Sequence, residues 1–128
     1  MPFVRIFVSQ DFDEAQVRAV ADGVHAAMTQ TIDVPPADRF QVVTRHEPDE
    51  MIWDRSFLDV ERSDSAVFVH ITLAVGRDDD KKRSLYRAIA QSLSATARVR
   101  PEDVLIVLSE VSRSNWSFGN GIAQYAPG

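Results

Sequence analysis

A repeat with a constant offset of 65 residues constrains the fold of this chain more than any other feature of its sequence. Each copy follows an apolar strand pattern and an amphipathic helix pattern. Val34, Pro36, Asp38 and Val42 of the first copy recur as Val99, Pro101, Asp103 and Val107. An internal repeat of this kind indicates two equivalent supersecondary units. We therefore predict two βαβ units, at about residues 2–46 and 66–111, followed by a tail at 112–128.

The first unit predicts a strand, a helix and a second short strand. Residues 3–8 alternate in polarity, and apolar residues then recur at helical spacing from about Asp13 to Gln30, with Asp13 and Gln16 as a capping pair. Residues 40–43 predict the second strand, which fades into a charged loop at 45–50. We interpret residues 51–65 as a loop, with or without a short hairpin.

The second unit repeats this order. Residues 66–73 are almost continuously apolar, which predicts a strand buried on both faces. Acidic residues 78–80 precede a helix whose buried face is marked by Leu85, Ile89 and Leu93, and Pro101 precedes a strand at 104–108. The tail contains a turn signal at 119–121.

Two such units predict an α/β (α+β) fold in a single domain. Parallel strands with right-handed crossovers would form one four-stranded sheet with both helices on one face. Because no third long helix is available, the other face would pack against further subunits, so we predict a homo-oligomer. The alternative is a ferredoxin-like monomer, in which similar elements follow a split order.

Composition narrows the class of protein. The chain has 128 residues, of which 45% are hydrophobic and 26% charged, as in an ordinary globular domain. A net charge of −5 argues against a broad nucleic-acid or anionic-membrane surface, and no stretch is long and apolar enough for a membrane span. Cysteine is absent, and His25, His46 and His70 lack metal-ligand spacing. We expect a cytoplasmic protein without a metal site.

Four features at strand ends and in the tail permit chemistry. Pro2 would become a terminal secondary amine if Met1 were removed, as it normally is before a small residue; otherwise proline simply tolerates the start of a strand. Asp38 precedes the second strand and is expected near Pro2, or else it is a turn residue like Asp103. Arg77 could bind a carboxylate through two hydrogen bonds, or else it is a surface cation. The tail aromatics Trp116, Phe118 and Tyr125 suit either an apolar wall or simple packing.

The chain resembles the tautomerase superfamily and, within it, the malonate semialdehyde decarboxylase family. The resemblance covers nearly the whole chain and rests on Pro2 before a strand and on four further stretches. These are residues 21–25 (ADGVH), 34–41 (VPPADRFQ), 46–52 (HEPDEMI) and 116–119 (WSFG). It implies a trimer of βαβ repeats, no cofactor and a small carboxylate substrate.

The resemblance also implies roles. Pro2 would be the protonated catalytic proline, Asp38 its acidic partner and Arg77 the residue that binds the substrate carboxylate. Trp116, Phe118 and Tyr125 would form an apolar wall. The implied activity is decarboxylation of a 3-oxo acid such as malonate semialdehyde, with keto-enol tautomerisation or hydration at the same proline as the alternative.

Two positions depart from this pattern. Some relatives have Arg-x-Arg at the position of Arg77, whereas this chain has Val75 two residues earlier. Residues 55–64 also lack the glycines typical of the family loop. The first departure bears on substrate choice and the second on the shape of the pocket.

Overall fold

The computed structural model describes residues 1–127 and contains one four-stranded sheet and two long helices. The elements are β1 (Phe3–Ser9), α1 (Glu14–Thr31), β2 (Gln41–His46), β3 (Val67–Ala74), α2 (Asp79–Thr96) and β4 (Val104–Val111). The strand order is β2-β1-β3-β4, with β1 parallel to β2, β3 parallel to β4, and β1 antiparallel to β3. Both strands of each unit are neighbours, so the prediction of two βαβ units is confirmed and the split ferredoxin-like order is excluded.

The repeat extends to the ends of the helices. Each helix has 18 residues, and both of its ends keep the offset of 65 residues. Asp13 and Asp78 cap the two helices by accepting hydrogen bonds from the backbone N–H groups of Gln16 (2.8 Å) and Lys81 (2.9 Å). A reciprocal pair would need the Gln16 side-chain oxygen to accept from the Asp13 N–H; the contact seen is instead a hydrogen bond that Gln16 Nε2 donates to the Ala97 carbonyl at the end of α2.

The core lies between one face of the sheet and the two helices. Val4, Ile6 and Val8 of β1 point into it, alternating with side chains that point away. The predicted buried face of α2 is confirmed, since Leu85, Ile89 and Leu93 are all fully buried. Burial of aliphatic side chains of this size contributes about 1.5–3 kcal/mol each to stability.

The prediction that β3 is buried on both faces is wrong for the single chain. Its burial alternates, because the helices cover only one face of the sheet and leave Phe68, His70 and Thr72 half-buried on the other. The uncovered face also carries exposed apolar side chains on the neighbouring strands, among them Val42 and Val107. This is the face that we expect to meet other subunits.

Two segment boundaries also differ from expectation. β2 continues to His46, so Arg45 and His46 pair with β1 instead of starting a loop. An edge strand tolerates such polar residues because one side of it faces the solvent. Residues 51–65 contain no strand but a 3₁₀ turn at Phe57–Asp59, near which the Arg62 guanidinium donates to three backbone carbonyls.

Two further 3₁₀ turns, Pro101–Asp103 and Arg113–Asn115, flank β4. The predicted turn at 119–121 is present, with positive φ at Gly119, Asn120 and Gly121. Gly128, the last residue of the predicted tail, lies outside the described residues. None of the helices within residues 1–127 has the length and apolar character needed to cross a membrane.

Candidate functional site

The sheet topology gathers the sequence-predicted site residues at one edge. The start of β1 lies beside the end of β3, because these strands are antiparallel, and beside the start of β2, because those are parallel. The end of β4 reaches the same edge through its parallel pairing with β3. Pro2, Asp38, Arg77 and the beginning of the tail are therefore neighbours in space.

Asp38 binds the amino terminus of the chain. Its Oδ2 lies 2.7 Å from the Met1 amine, and only 9% of the Met1 side chain and 15% of the Asp38 side chain are exposed. Pro2, the next residue along the chain, is also buried. The other carboxylate oxygen, Oδ1, is buried without a hydrogen-bond partner among the described residues. Asp38 thus has an unused acceptor next to the terminal amine.

The repeat provides an internal comparison for Asp38. Its counterpart Asp103 is 3% exposed and uses both carboxylate oxygens within the chain. Oδ1 accepts from the Ser63 backbone N–H at 2.7 Å, and Oδ2 accepts from the Ser63 hydroxyl at 2.6 Å. Asp103 therefore fixes a loop, whereas the equivalent carboxylate of Asp38 faces a terminal amine.

The loop that carries Asp38 is held against α1 by residues of two stretches that carry the family resemblance, 21–25 and 34–41. His25 is buried, and its Nε2 lies 2.8 Å from the Pro36 carbonyl. Because a carbonyl can only accept, this nitrogen carries the proton. The Gln41 side-chain amide donates to the Ala21 carbonyl at 2.8 Å. These residues have a positioning role rather than a chemical one.

Arg39 also holds the Asp38 loop against α1. Its Nη2 donates to Asp22 Oδ1 at 2.6 Å, and its Nε donates to Gln41 Oε1 at 2.8 Å. The hydrogen bond from Arg39 is the main reason why the pKa of Asp22 is lowered; burial opposes it, and the charges of Arg18 and Arg39 reinforce it.

Substitution of Asp22 by Asn is expected to cost stability in a pH-dependent way. The carboxylate has a lower pKa in the folded chain than in the unfolded chain, so its contribution is complete above the unfolded value of about 4 and is lost as the pH falls through the folded value. Asp22 is half-exposed, so we expect a loss of about 0.5–1 kcal/mol at neutral pH. Urea unfolding at neutral and acidic pH measures it.

The control for this substitution is Asp59→Asn, because Asp59 is exposed and has no side-chain hydrogen bond or ion pair within residues 1–127. It should leave the free energy of unfolding almost unchanged at either pH. An equal loss for Asp22→Asn at neutral and strongly acidic pH would show that the carboxylate charge is not responsible.

Arg77 lies at the end of β3 and is half-buried. Its Nη1 and Nη2 donate to the carbonyls of Ala74 and Ile32, each at 3.2 Å, which fixes the guanidinium at the sheet edge. Burial lowers its pKa; the carboxylates of Asp33, Asp38 and Glu110 oppose this, and the positive charge of Arg113 adds to it. Val75 is 54% exposed and brings no charge to this edge.

The tail aromatics form one cluster. Trp116 and Phe118 stack with ring centroids 5.5 Å apart, and Tyr125 meets Phe118 edge-on at 5.4 Å. Phe40 also contacts Phe118, at 5.8 Å, and so joins the tail to the segment that follows Asp38. Phe40 was not among the residues predicted for the site, although an aromatic residue two positions after a candidate acid is a usable signal.

Trp116 contributes more than apolar surface. Its indole Nε1–H is buried without a hydrogen-bond partner among residues 1–127. Leaving such a donor unpaired costs about 1–3 kcal/mol. Among residues 1–127, three buried side-chain atoms thus lack a hydrogen-bond partner: the Trp116 donor, the Asp38 acceptor and Nδ1 of His25, the residue that holds the Asp38 loop.

A cleft of about 580 Å³ lies elsewhere, at the opposite edge of the sheet. Its lining includes His46, Trp53 and Arg55, and Arg55 forms an ion pair with Asp64. It contains none of the residues around the terminal amine. We place the candidate active site at the amine because that region has the unsatisfied buried polar atoms. Within residues 1–127, no three His, Asp or Glu side chains converge as metal ligands.

The chain matches two sequence families, both described as tautomerase enzymes, over residues 38–119 and over residues 2–55. The chain belongs to the tautomerase family. It is 39% identical over 124 residues to the probable tautomerase YusQ of Bacillus subtilis (strain 168), covering 97% of this chain and 98% of the relative. It is 29% identical over 128 residues to the probable tautomerase YrdN of the same organism, covering 100% and 98%.

Solved structures of malonate semialdehyde decarboxylases resemble this chain over nearly its whole length. The FG41 malonate semialdehyde decarboxylase inhibited by 3-bromopropiolate has a TM-score of 0.91 and 37% identity, covering 96% of this chain and 93% of that one. A second malonate semialdehyde decarboxylase, described with decarboxylase and hydratase activities, has a TM-score of 0.91 and 29% identity, covering 96% and 95%. A fused 4-OT symmetric trimer shares the fold at 21% identity and a TM-score of 0.79, covering 96% and 97%.

Proposed function

We propose that this member of the tautomerase family is a cofactor-independent decarboxylase of a small 3-oxo acid such as malonate semialdehyde, and that its mature chain begins at Pro2. The observation that carries the proposal is the ion pair between Asp38 and the terminal amine, 2.7 Å long and largely buried. Similarity to two malonate semialdehyde decarboxylases over nearly the whole chain supports the same reaction class.

Pro2 would take over the position of the terminal amine when Met1 is absent. Its nitrogen is only one residue further along the backbone, so the carboxylate of Asp38 would remain beside it. A neighbouring carboxylate favours the charged form of an amine. The protonated Pro2 would then donate a hydrogen bond to the aldehyde oxygen of the substrate, or form an iminium with the aldehyde after losing its proton.

Arg77 would bind the carboxylate that leaves. Two of its N–H groups are used by backbone carbonyls, so its orientation is set before substrate binds. The bond between the substrate carboxylate and the methylene carbon breaks, carbon dioxide leaves, and the electron pair moves into the polarised carbonyl system. Protonation of the resulting enolate gives acetaldehyde from malonate semialdehyde.

The aromatic cluster would favour this loss of charge. Trp116, Phe118 and Tyr125 provide a wall that excludes water from a reaction in which a carboxylate becomes neutral carbon dioxide. The unpaired Trp116 N–H would donate to the substrate carbonyl or to a water molecule, and the free Asp38 oxygen would accept a hydrogen bond from a water molecule.

Keto-enol tautomerisation or hydration at the same proline is the second candidate function. The names of the two Bacillus relatives favour it, as does the hydratase activity ascribed to the second decarboxylase. A tautomerase would use Pro2 as a neutral base, so the charge on Pro2 separates the candidates. A ¹⁵N titration of Pro2 with a midpoint at or above about 8 supports the decarboxylase, whereas a clearly lower one supports the base.

The uncovered sheet face suggests how the protein would assemble. Phe3, Val42, Leu105 and Val107 leave exposed apolar surface on the side without helices. The fused 4-OT relative forms a symmetric trimer with the same fold. A homotrimer would bury this face, and light scattering of the purified protein would measure its mass.

The direct test is incubation of the protein lacking Met1 with malonate semialdehyde. We expect stoichiometric acetaldehyde and carbon dioxide, without added metal or cofactor. The same chain with Met1 retained serves as the control, because its Pro2 nitrogen is an amide. Equal product formation by the two forms would rule out the proline mechanism, and turnover of only the enol form of a 2-oxo acid would favour tautomerisation. Borohydride trapping of substrate on Pro2 would identify an iminium.

A further inference from the structure

Arg113 follows the end of β4, and Arg77 follows the end of the neighbouring strand β3. The two strands are parallel and pair as far as Ala74 and Val111, and the Val75 N–H extends the pairing by donating to the Val111 carbonyl at 3.0 Å. Arg77 follows within three residues of the first strand end and Arg113 within two of the second. The parallel register therefore brings both arginines to the sheet edge that carries Asp38.

Arg113 has no partner of its own within residues 1–127. It is exposed, and its side chain forms neither a hydrogen bond nor an ion pair there. Burial is the main reason why the pKa of Arg77 is lowered, and the positive charge of Arg113 acts in the same direction, as the adjacent strand ends lead one to expect. Two unneutralised cations at one site favour an anion between them.

The acidic residues nearby do not neutralise this pair. Asp33 forms an ion pair with Lys81 at 2.8 Å, and Glu110 forms one with Lys82 at 2.9 Å. The third, Asp38, binds the terminal amine. Each of these three carboxylates is therefore paired with another cation, and none forms an ion pair with Arg77 or Arg113.

We propose that Arg113 is a second carboxylate-binding residue of this site and that, with Arg77, it binds the substrate carboxylate from two sides. The proposal rests on the proposed function. It also accounts for Val75, because the second cation comes from the neighbouring strand β4 instead of from the strand that carries Arg77. It predicts a preference for anionic substrates over neutral aldehydes or amides of the same size.

Binding of a small non-reacting carboxylate tests this inference independently of any reaction. NMR titration of the chain lacking Met1 with propionate measures Kd, and propionamide is the uncharged matched probe. We expect Arg113→Gln to raise the Kd of propionate by about three- to tenfold, as for a solvent-accessible ion pair or a charged hydrogen bond. The Kd of propionamide should not change. Arg87→Gln, which removes an equal charge from the exposed surface of α2, is the control.

The double variant Arg77→Gln, Arg113→Gln distinguishes a shared carboxylate from a general electrostatic effect. If both residues bind one carboxylate, the two effects on Kd will not be additive in free energy. Arg113→Lys should restore part of the affinity. A Kd for Arg113→Gln within twofold of the parent, or equal to that of Arg87→Gln, overturns the proposal. Tight propionate binding without decarboxylation would instead contradict the proposed function alone.

In the enzyme assay, a binding role predicts that Arg113→Gln raises KM for malonate semialdehyde more than it lowers kcat. A role in holding the tail would instead change the unfolding midpoint and leave the ratio of propionate to propionamide affinity unchanged.

Discussion

Removal of Met1 is expected to convert the protein from an inactive to an active enzyme. In the chain that starts at Met1, the nitrogen of Pro2 belongs to an amide bond, which has no proton to donate and no basic lone pair. The Met1 amine, not Pro2, then occupies the ion pair with Asp38. A positioned general acid typically contributes a factor of about 10²–10⁴ to the rate. We expect a loss of at least that size in kcat/KM when Met1 is retained.

One protein preparation can supply both forms. The chain is purified with Met1 intact from a host whose methionine aminopeptidase is inhibited, and half of it is then treated with that enzyme. Intact mass verifies the removal, and circular dichroism verifies that the fold is the same. Activity that appears in proportion to the fraction of chains starting at Pro2 is the expected result. Full activity before cleavage would place the chemistry elsewhere.

The fold could be predicted from the sequence because each βαβ unit has its own pattern of apolar and polar residues. The strict alternation in β1, the apolar stripe of Leu85, Ile89 and Leu93 and the constant offset all report local structure, which short-range spacing determines. The burial of β3 was misjudged for a physical reason. A continuously apolar strand is typical of one that is covered on both faces, whereas in the single chain helices cover only one face of β3.

The candidate site could be predicted only in part from the sequence. The position of Asp38 beside the amino terminus followed from parallel strand order alone. Phe40 and Arg113 did not follow, because their neighbours depend on how the tail returns across the sheet edge. The stretch containing His25 was part of the family resemblance, but only the structure shows that it holds the Asp38 loop through the Pro36 carbonyl.

Replacing Asp38 and Asp103 separately by Asn is expected to separate catalysis from stability. The two residues occupy equivalent positions of the repeat, and each substitution removes the same charge while keeping the size of the side chain. Asp38→Asn should lower kcat by about 10²–10³, because the amine of Pro2 loses the carboxylate that keeps it charged. It should lower the free energy of unfolding less than Asp103→Asn does, since one of its oxygens has no partner to lose and the amine can release its proton when the carboxylate is gone.

Asp103→Asn should behave in the opposite way. Its carboxylate accepts two hydrogen bonds from Ser63 in a buried position, so we expect a loss of about 1–3 kcal/mol in urea unfolding, with kcat nearly unchanged. Both kcat and the free energy of unfolding are measured for both variants, so each variant is the control for the other. If both variants lose stability and neither loses activity, Asp38 is a turn residue like its counterpart, and the ion pair with the terminal amine has no part in catalysis.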